Sequence, residues 1–381
     1  MTDTEYNAAE AARDMYFAVH NADFDRVQAL LDKGVSPDIL VGYHNGMCLT
    51  ALGYALSSTT SLSSHDLKRH IDIVDLLLKR GACPDGIQGA YSPLFLAYNR
   101  DALAVLLRYR PKLDVLNSDG CTALNIMVYA GSRDMVKMML DSGANPNFRD
   151  KAGMTSAFFA SSSELVRMLA DYGADFNIKS DNGCTPLFKI LPEGPEVIRA
   201  VIEAGADPNH KDSEGRTPLH ILTDRGYHLD YSDDASIRAL AEGGADVNLP
   251  DANGSTPLYS CLSKVWDDRI VHAANVLLEY GADPNVKDIR TGKTPLQTYI
   301  ERFSLEYPGR EDIYRRFPGE VVRLGEKMIE HGGCIDRQDK SWNKIFSNKT
   351  DKPLAEYLYS LYEHVRTTRQ ILDDDLEGYL R

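Results

Sequence analysis

GADPNHKDSEGRTPLH, residues 205–220, holds two histidines, three acidic residues, a lysine and an arginine in sixteen positions. A metal or acid–base site needs such residues. A tight loop followed by a capped helix needs them equally. The rest of the chain decides. GANPNFRDKAGMTSAF starts at Gly143, GADFNIKSDNGCTPLF at Gly173, GADVNLPDANGSTPLY at Gly244 and GADPNVKDIRTGKTPLQ at Gly281. A stretch repeated five times is a structural unit, not five copies of one active site.

The chemistry of the unit is readable. An apolar helix ends at each Gly, which adopts the left-handed backbone at low cost. The Asp, Asn and Gly residues that follow favour tight turns. Thr then sits where a helix N-cap is needed, with Pro at the first helical position. The motif reads as helix stop, turn, capped helix start. His220 is accordingly a buried hydrogen-bonding residue at a helix start rather than a catalyst.

GADPN followed at fixed distance by TPL, several times over, resembles the ankyrin repeat family, whose period is about 33 residues with a TPLHxA signature. The resemblance implies a β-hairpin finger, an inner helix, a loop and an outer helix per repeat. It implies an all-α fold with short β-hairpin fingers, stacked as a solenoid with a concave groove.

The distance from capping residue to closing residue serves as a ruler. Thr122 to Gly143 is 21 positions, the standard; Thr185 to Gly205 is 20; Thr155 to Gly173 and Ser92 to Arg110 are 18. The shorter repeats are expected to lack about a turn between their helices. Thr50 to Gly81 is 31, Thr217 to Gly244 is 27, Thr256 to Gly281 is 25 and Thr294 to Gly332 is 38. This layout gives an array over residues 1–339, with repeats ending near Gly34, Gly81, Arg110, Gly143, Gly173, Gly205, Gly244, Gly281 and Gly332. Residues 340–381 then form a C-terminal helical cap and acidic tail, with Leu354, Leu358, Leu361, Tyr362 and Val365 at helical spacing to cap the last repeat.

Composition narrows the function. Charged residues are 26% and hydrophobic ones 43%, the balance of a core-forming chain. No run approaches eighteen apolar residues, so no membrane span is expected. The start, MTDTEYNAAEAARDMYF, lacks a basic segment followed by an apolar run, which argues against a signal peptide. The six cysteines are far apart with no CxxC pair, the pattern of free thiols in a reducing compartment. A cytoplasmic location is expected, or the host cell if the protein is an effector. The net charge of −14 argues against nucleic-acid binding and mildly for a basic partner.

Catalytic arrangements are absent. There is no GxSxG elbow, GxxxxGK[ST] loop or HExxH helix. His65 and His70 are too loosely spaced for a helical zinc pair and read as a solvated loop. Cys121 and Cys184 precede capping Thr residues and read as turn packing. No metal or cofactor is expected.

Function in a repeat array sits in what the scaffold does not require. Three consecutive repeats carry extra residues between inner and outer helix. These contribute Tyr227, His228, Tyr231, Trp266, Arg269, Phe303, Tyr307, Tyr314, Arg315, Arg316 and Phe317, rimmed by Asp230, Asp233, Asp234, Asp267 and Asp268. Aromatic residues and Arg are the types enriched at binding hot spots. The expectation is a non-catalytic module, monomeric by itself, that holds a protein partner with the groove and these loops. The alternatives are a bacterial effector or toxin inhibitor acting by binding an enzyme, an adaptor joining two partners, and a cryptic enzyme with a site in the groove.

Overall fold

The computed structural model describes residues 8–44, 47–60, 64–224, 232–263, 268–306, 319–335, 342, 345–346, 355–363 and 366. Helices in it stop where the backbone turns left-handed. At Gly34, Gly81, Gly143, Gly173, Gly205, Gly244, Gly281 and Gly332, φ lies between 81 and 96°; Arg110, standing where the others have glycine, takes 52°. A side chain there costs about 1–2 kcal/mol.

The chain divides into two compact units, Met1–Asp175 and Phe176–Arg381. The first pairs α1 (Ala8–His20) with α2 (Phe24–Asp32), α3 (Ala51–Ser57) with α4 (Ser64–Lys79), a 3₁₀ turn (Pro93–Leu96) with α5 (Arg100–Arg108), α6 (Ala123–Tyr129) with α7 (Arg133–Asp141), and a second 3₁₀ turn (Ser156–Phe159) with α8 (Ser163–Asp171). The second pairs α9 (Pro186–Ile190) with α10 (Pro195–Glu203), α11 (Pro218–Asp224) with α12 (Ser232–Glu242), α13 (Pro257–Leu262) with α14 (Asp268–Glu279), and α15 (Pro295–Glu306) with α16 (Gly319–Glu330). Within each unit, first helices pack on first helices and second on second: α9, α11, α13 and α15 form one layer, and α10, α12, α14 and α16 the other. Leu222, Leu240, Leu258, Leu262 and Leu277 are fully buried between those layers. No single helix pair can hide such faces, so each repeat depends on its neighbours.

Among the described residues one strand pair forms, β1 (Leu40–His44) with β2 (Met47–Thr50), antiparallel. The other fingers are tight turns organised by one side chain. The Oδ1 atoms of Asp150, Asp212 and Asp251 each accept from the backbone N–H groups two and four residues on, at 2.8–2.9 Å. Backbone bonds tie finger to finger: Lys151 N–H to Gly120 O at 2.9 Å, Ala252 N–H to Glu214 O at 3.1 Å and Ile289 N–H to Asn253 O at 2.9 Å. A second ladder runs through the asparagines of GADPN. Asn209 Nδ2 donates to Gly244 O at 2.9 Å while its Oδ1 accepts from Asp246 N–H at 2.7 Å. Asn147, Asn177, Asn248 and Asn285 repeat both bonds. Asp38, Asp85 and Asp114 hold this position in the earlier repeats and accept only, because a carboxylate has no proton to give.

The short repeats differ from expectation. Nothing is missing between their helices; the first helix itself is replaced by a 3₁₀ turn at Pro93–Leu96 and Ser156–Phe159. A 3₁₀ helix rises about 2 Å per residue against about 1.5 Å, so fewer residues cross the layer. Thr50, Thr122, Thr256 and Thr294 cap their helices through the hydroxyl as expected. Thr155 and Thr185 do not: Phe158 N–H and Phe188 N–H go to the Thr carbonyls instead, and the buried hydroxyls have no partner.

The long repeat at Thr50–Gly81 is also corrected. Its extra residues lengthen α4 to 16 residues, so His65 and His70 lie on a helix, not in a solvated loop. His70 is 2% exposed and its Nδ1 bonds the Asp66 carbonyl at 3.0 Å. At the other end, residues 355–363 are helical and bury Ala355 and Leu358. Gly325 of α16 makes room: a Cβ there would sit 3.1 Å from Leu358 and 3.0 Å from the buried Tyr299 ring. Leu354 and Val365 lie outside the described residues.

Candidate functional site

The charged residues of 205–220 are spent on the scaffold. His220 is 1% exposed. Its Nδ1 accepts from the Thr217 N–H at 3.1 Å and the Thr217 hydroxyl at 2.8 Å, and its Nε2–H donates to Ser255 O at 2.9 Å. Ser255 Oγ in turn donates to Asp288 at 2.6 Å, which carries the chain into a third repeat. His210 bonds Gly183 O at 3.0 Å, Lys211 donates to Pro250 O at 2.6 Å, and Arg216 Nε donates to Asp212 at 3.0 Å. Both His220 nitrogens are used, so neither can take a substrate proton.

Burial pushes the His220 pKa down from its usual value. The folded state thus binds a proton less readily than the unfolded chain, and stability is full above about pH 6.5 and lost as pH falls toward the folded value. Acid-dependent loss of stability below about pH 6.5 is expected to shrink in His220→Gln, as measured by urea midpoints. Equal pH slopes in the two proteins would remove His220 from the account.

A polar pocket of about 190 Å³ opens beside this network, between the fingers and the helices α11 and α13. Glu214, Arg216, Asp224, Asp251, Ser260 and Arg290 line it. Charges of both signs suit the polar and charged side chains of a polypeptide. Among the described residues no group of three or more His, Cys, Asp or Glu is placed to hold a metal ion. Cys184 is half-buried, and burial, aided by Asp212, pushes its thiol up. That is the opposite of an activated nucleophile.

The first unit presents a feature that sequence reasoning missed. Aromatic side chains collect on its first helices. Tyr16 stacks on His20 at 5.7 Å and meets Tyr54 at 5.0 Å, and His20 Nδ1 bonds the Tyr54 hydroxyl at 2.9 Å. Tyr129 and Phe159 meet edge-on at 6.4 Å. Phe17, Tyr98 and Tyr129 are 49, 52 and 76% exposed. Beside Tyr98 an apolar cavity of about 60 Å³ is lined by Leu94, Ile126, Ala130 and Met135. It opens where the 3₁₀ turn Pro93–Leu96 supplies fewer side chains than an α-helix would. Unequal repeat lengths hid this row, because its members recur at no fixed period.

The expected loop residues are placed as follows. Tyr227, His228, Tyr231, Trp266, Tyr307, Tyr314, Arg315, Arg316 and Phe317 lie outside the described residues, as do Asp230 and Asp267. Arg269 and Phe303 are not in loops: Arg269 belongs to the first turn of α14 and Phe303 to α15. Asp233, Asp234 and Asp268 likewise begin α12 and α14. Part of each insertion is therefore absorbed as helix, and residues 225–231, 264–267 and 307–318 connect to the starts of α12, α14 and α16.

No helix of the described residues is long and apolar enough to cross a membrane. A family model of ankyrin repeats in three copies matches residues 68–150, 94–180, 125–212 and 192–288. Among solved structures, the chain is similar to the crystal structure of the ankyrin repeat domain of Bcl-3, described as a unique member of the IkappaB protein family. Identity there is 24%, with a TM-score of 0.49, over 61% of this chain and 97% of that one. The matched windows run from residue 68 to 288, more than half of the 381 residues, and fall on paired helices closed by left-handed glycines: the chain belongs to the ankyrin repeat family.

Proposed function

We propose that this protein is a non-catalytic binding module that holds a protein partner through the groove and the inserted segments of its C-terminal repeats. Ankyrin repeats are in general protein–protein interaction modules. One observation supports this placement: three successive repeats of one unit carry their extra residues at the same junction, each segment leading into a helix of the same layer, α12, α14 or α16. The residues proposed to make contact are Tyr227, His228, Tyr231, Trp266, Arg269, Phe303, Tyr307, Tyr314, Arg315 and Phe317.

Affinity capture from the native host's lysate tests the reading. Wild type is compared with a Tyr231→Ala, Trp266→Ala, Tyr307→Ala variant, both checked by circular dichroism. A partner held by wild type and lost by the folded variant, a drop of about tenfold or more for hot-spot aromatics, is the expected result. The same partner held equally by both would move the interface to the polar pocket or to the aromatic row of the first unit.

A further inference from the structure

The chain carries a net charge of −14, yet one surface of its second unit runs against that sign. On α12, α14 and α16 a groove of about 400 Å³ is lined by Arg238, Arg323, Lys327, His272, Asp234 and Glu279, among others. Two buried valines, Val271 and Val276, contribute to its lining. Glu279 on α14 is shared by two cations from the flanking helices: Arg238 Nη2 at 2.7 Å and Lys327 Nζ at 3.0 Å. Lys327 first, and Arg238 after it, hold the Glu279 carboxyl below its usual range. One carboxylate cannot neutralise two cations. Arg323 stands one turn before Lys327 on α16, is exposed, and has no ion-pair partner among the described residues. The remaining carboxylate, Asp234, has its pKa raised by burial and lies 3.9 Å from His272. Its lining therefore holds three cations, Arg238, Arg323 and Lys327, against two carboxylates, a surplus of one positive charge.

Its position adds to this. Arg323 is the fifth residue of α16, and Asp234 and His272 are the third and fifth of α12 and α14. At about 1.5 Å per residue, each lies within about 6 Å, along the helix axis, of the point where an inserted segment joins.

We propose that this groove is a docking surface for an acidic, carboxylate-rich segment of a partner protein. Arg238 and Arg323 present guanidinium forks that match carboxylates in a bidentate way. Lys327 adds a point charge. Because the pairs are exposed, each contributes little alone and all are screened by salt. Recognition rests on several of them acting together, and charge complementarity sets the sign of the partner. This face belongs to the second-helix layer, whereas the polar pocket lies against α11 and α13 of the other layer. The surface is thus additional to the groove-side reading above and needs none of the aromatic loop residues.

The test uses the full chain and a fluorescein-labelled eight-residue peptide of alternating Glu and Leu, read by anisotropy. A Lys-and-Leu peptide of the same length is the control. Wild type is expected to bind the acidic peptide and to lose roughly tenfold in affinity when salt rises from about 20 to about 300 mM. The variant Arg238→Gln, Arg323→Gln, Lys327→Gln is expected to bind about tenfold more weakly. Arg323→Glu alone, which breaks no described ion pair and leaves the fold intact, is expected to weaken binding several-fold; it decides the matter if the triple variant unfolds. Equal affinity of wild type and Arg323→Glu would overturn the proposal. So would equal affinity for the basic peptide, or no binding by wild type. Since the probe is not the native partner, these failures are independent of the lysate capture.

Discussion

Gly215→Ala is expected to destabilise the second unit by about 3 kcal/mol, far more than the same change at Gly205. Both glycines are left-handed, at φ 75 and 93°, so both substitutions carry the backbone penalty of about 1–2 kcal/mol. Their surroundings differ. A Cβ at Gly205 meets nothing within 4 Å. A Cβ at Gly215 would lie 2.6 Å from Ala252 N and 3.2 Å from Asp251 C, atoms of the next finger's backbone. Backbone cannot step aside as a side-chain tip can, so an overpacking cost of about 1–3 kcal/mol is added. The shift would break the bond from Ala252 N–H to Glu214 O, one of the links between successive fingers. Urea denaturation of the two variants, followed by circular dichroism, measures the difference. Equal midpoints for Gly205→Ala and Gly215→Ala would show that the fingers do not meet as described.

Leu277→Asp is expected to cost about 4 kcal/mol or more, from the lost apolar side chain together with a buried carboxylate. Leu277 is fully buried in α14, whose neighbours in the layer are α12 and α16. Because repeat stability is a sum of local and nearest-neighbour terms, the loss falls on the second unit. The melt should split, with the second unit unfolding before the first. The damage should also ease in acid. Burial raises the folded-state pKa of the new carboxyl above its unfolded value, so the variant's deficit is largest at neutral pH and shrinks as pH falls through that raised value. Hydrogen exchange at pH 7, unit by unit, is the direct readout. A single transition at the wild-type temperature would refute the placement of Leu277.

How much of this was legible depends on the range of the interaction. The left-handed closing glycines, the Thr caps at Thr122 and Thr256 and the turn-organising Asp212 and Asp251 each act within a few residues, and each could be read from residue type and spacing. His220 was legible as a buried hydrogen-bonding residue for the same reason, since its Thr217 partner is three positions away. His70 was misread because the extra residues of its repeat lengthened a helix, a choice that packing against neighbours makes. The shortening of the repeats at Pro93 and Ser156 falls in the first helix rather than between helices for the same reason, since a layer to be spanned with few residues is a demand of the stack.

The candidate surfaces divide along the same line. Residue types alone pointed to Arg269 and Phe303, but not to their being helical. Arg238, Glu279 and Lys327 are separated by 41 and 48 positions, across insertions of unequal length, and no ruler along the chain brings them together. By itself the sequence determined the repeat and its fold class, because turns, caps and left-handed glycines are local and recur wherever their residues do. Only the tertiary structure decided how extra or missing residues are absorbed and which charges and aromatics share a face, because those follow from burying each helix against its neighbours in the stack.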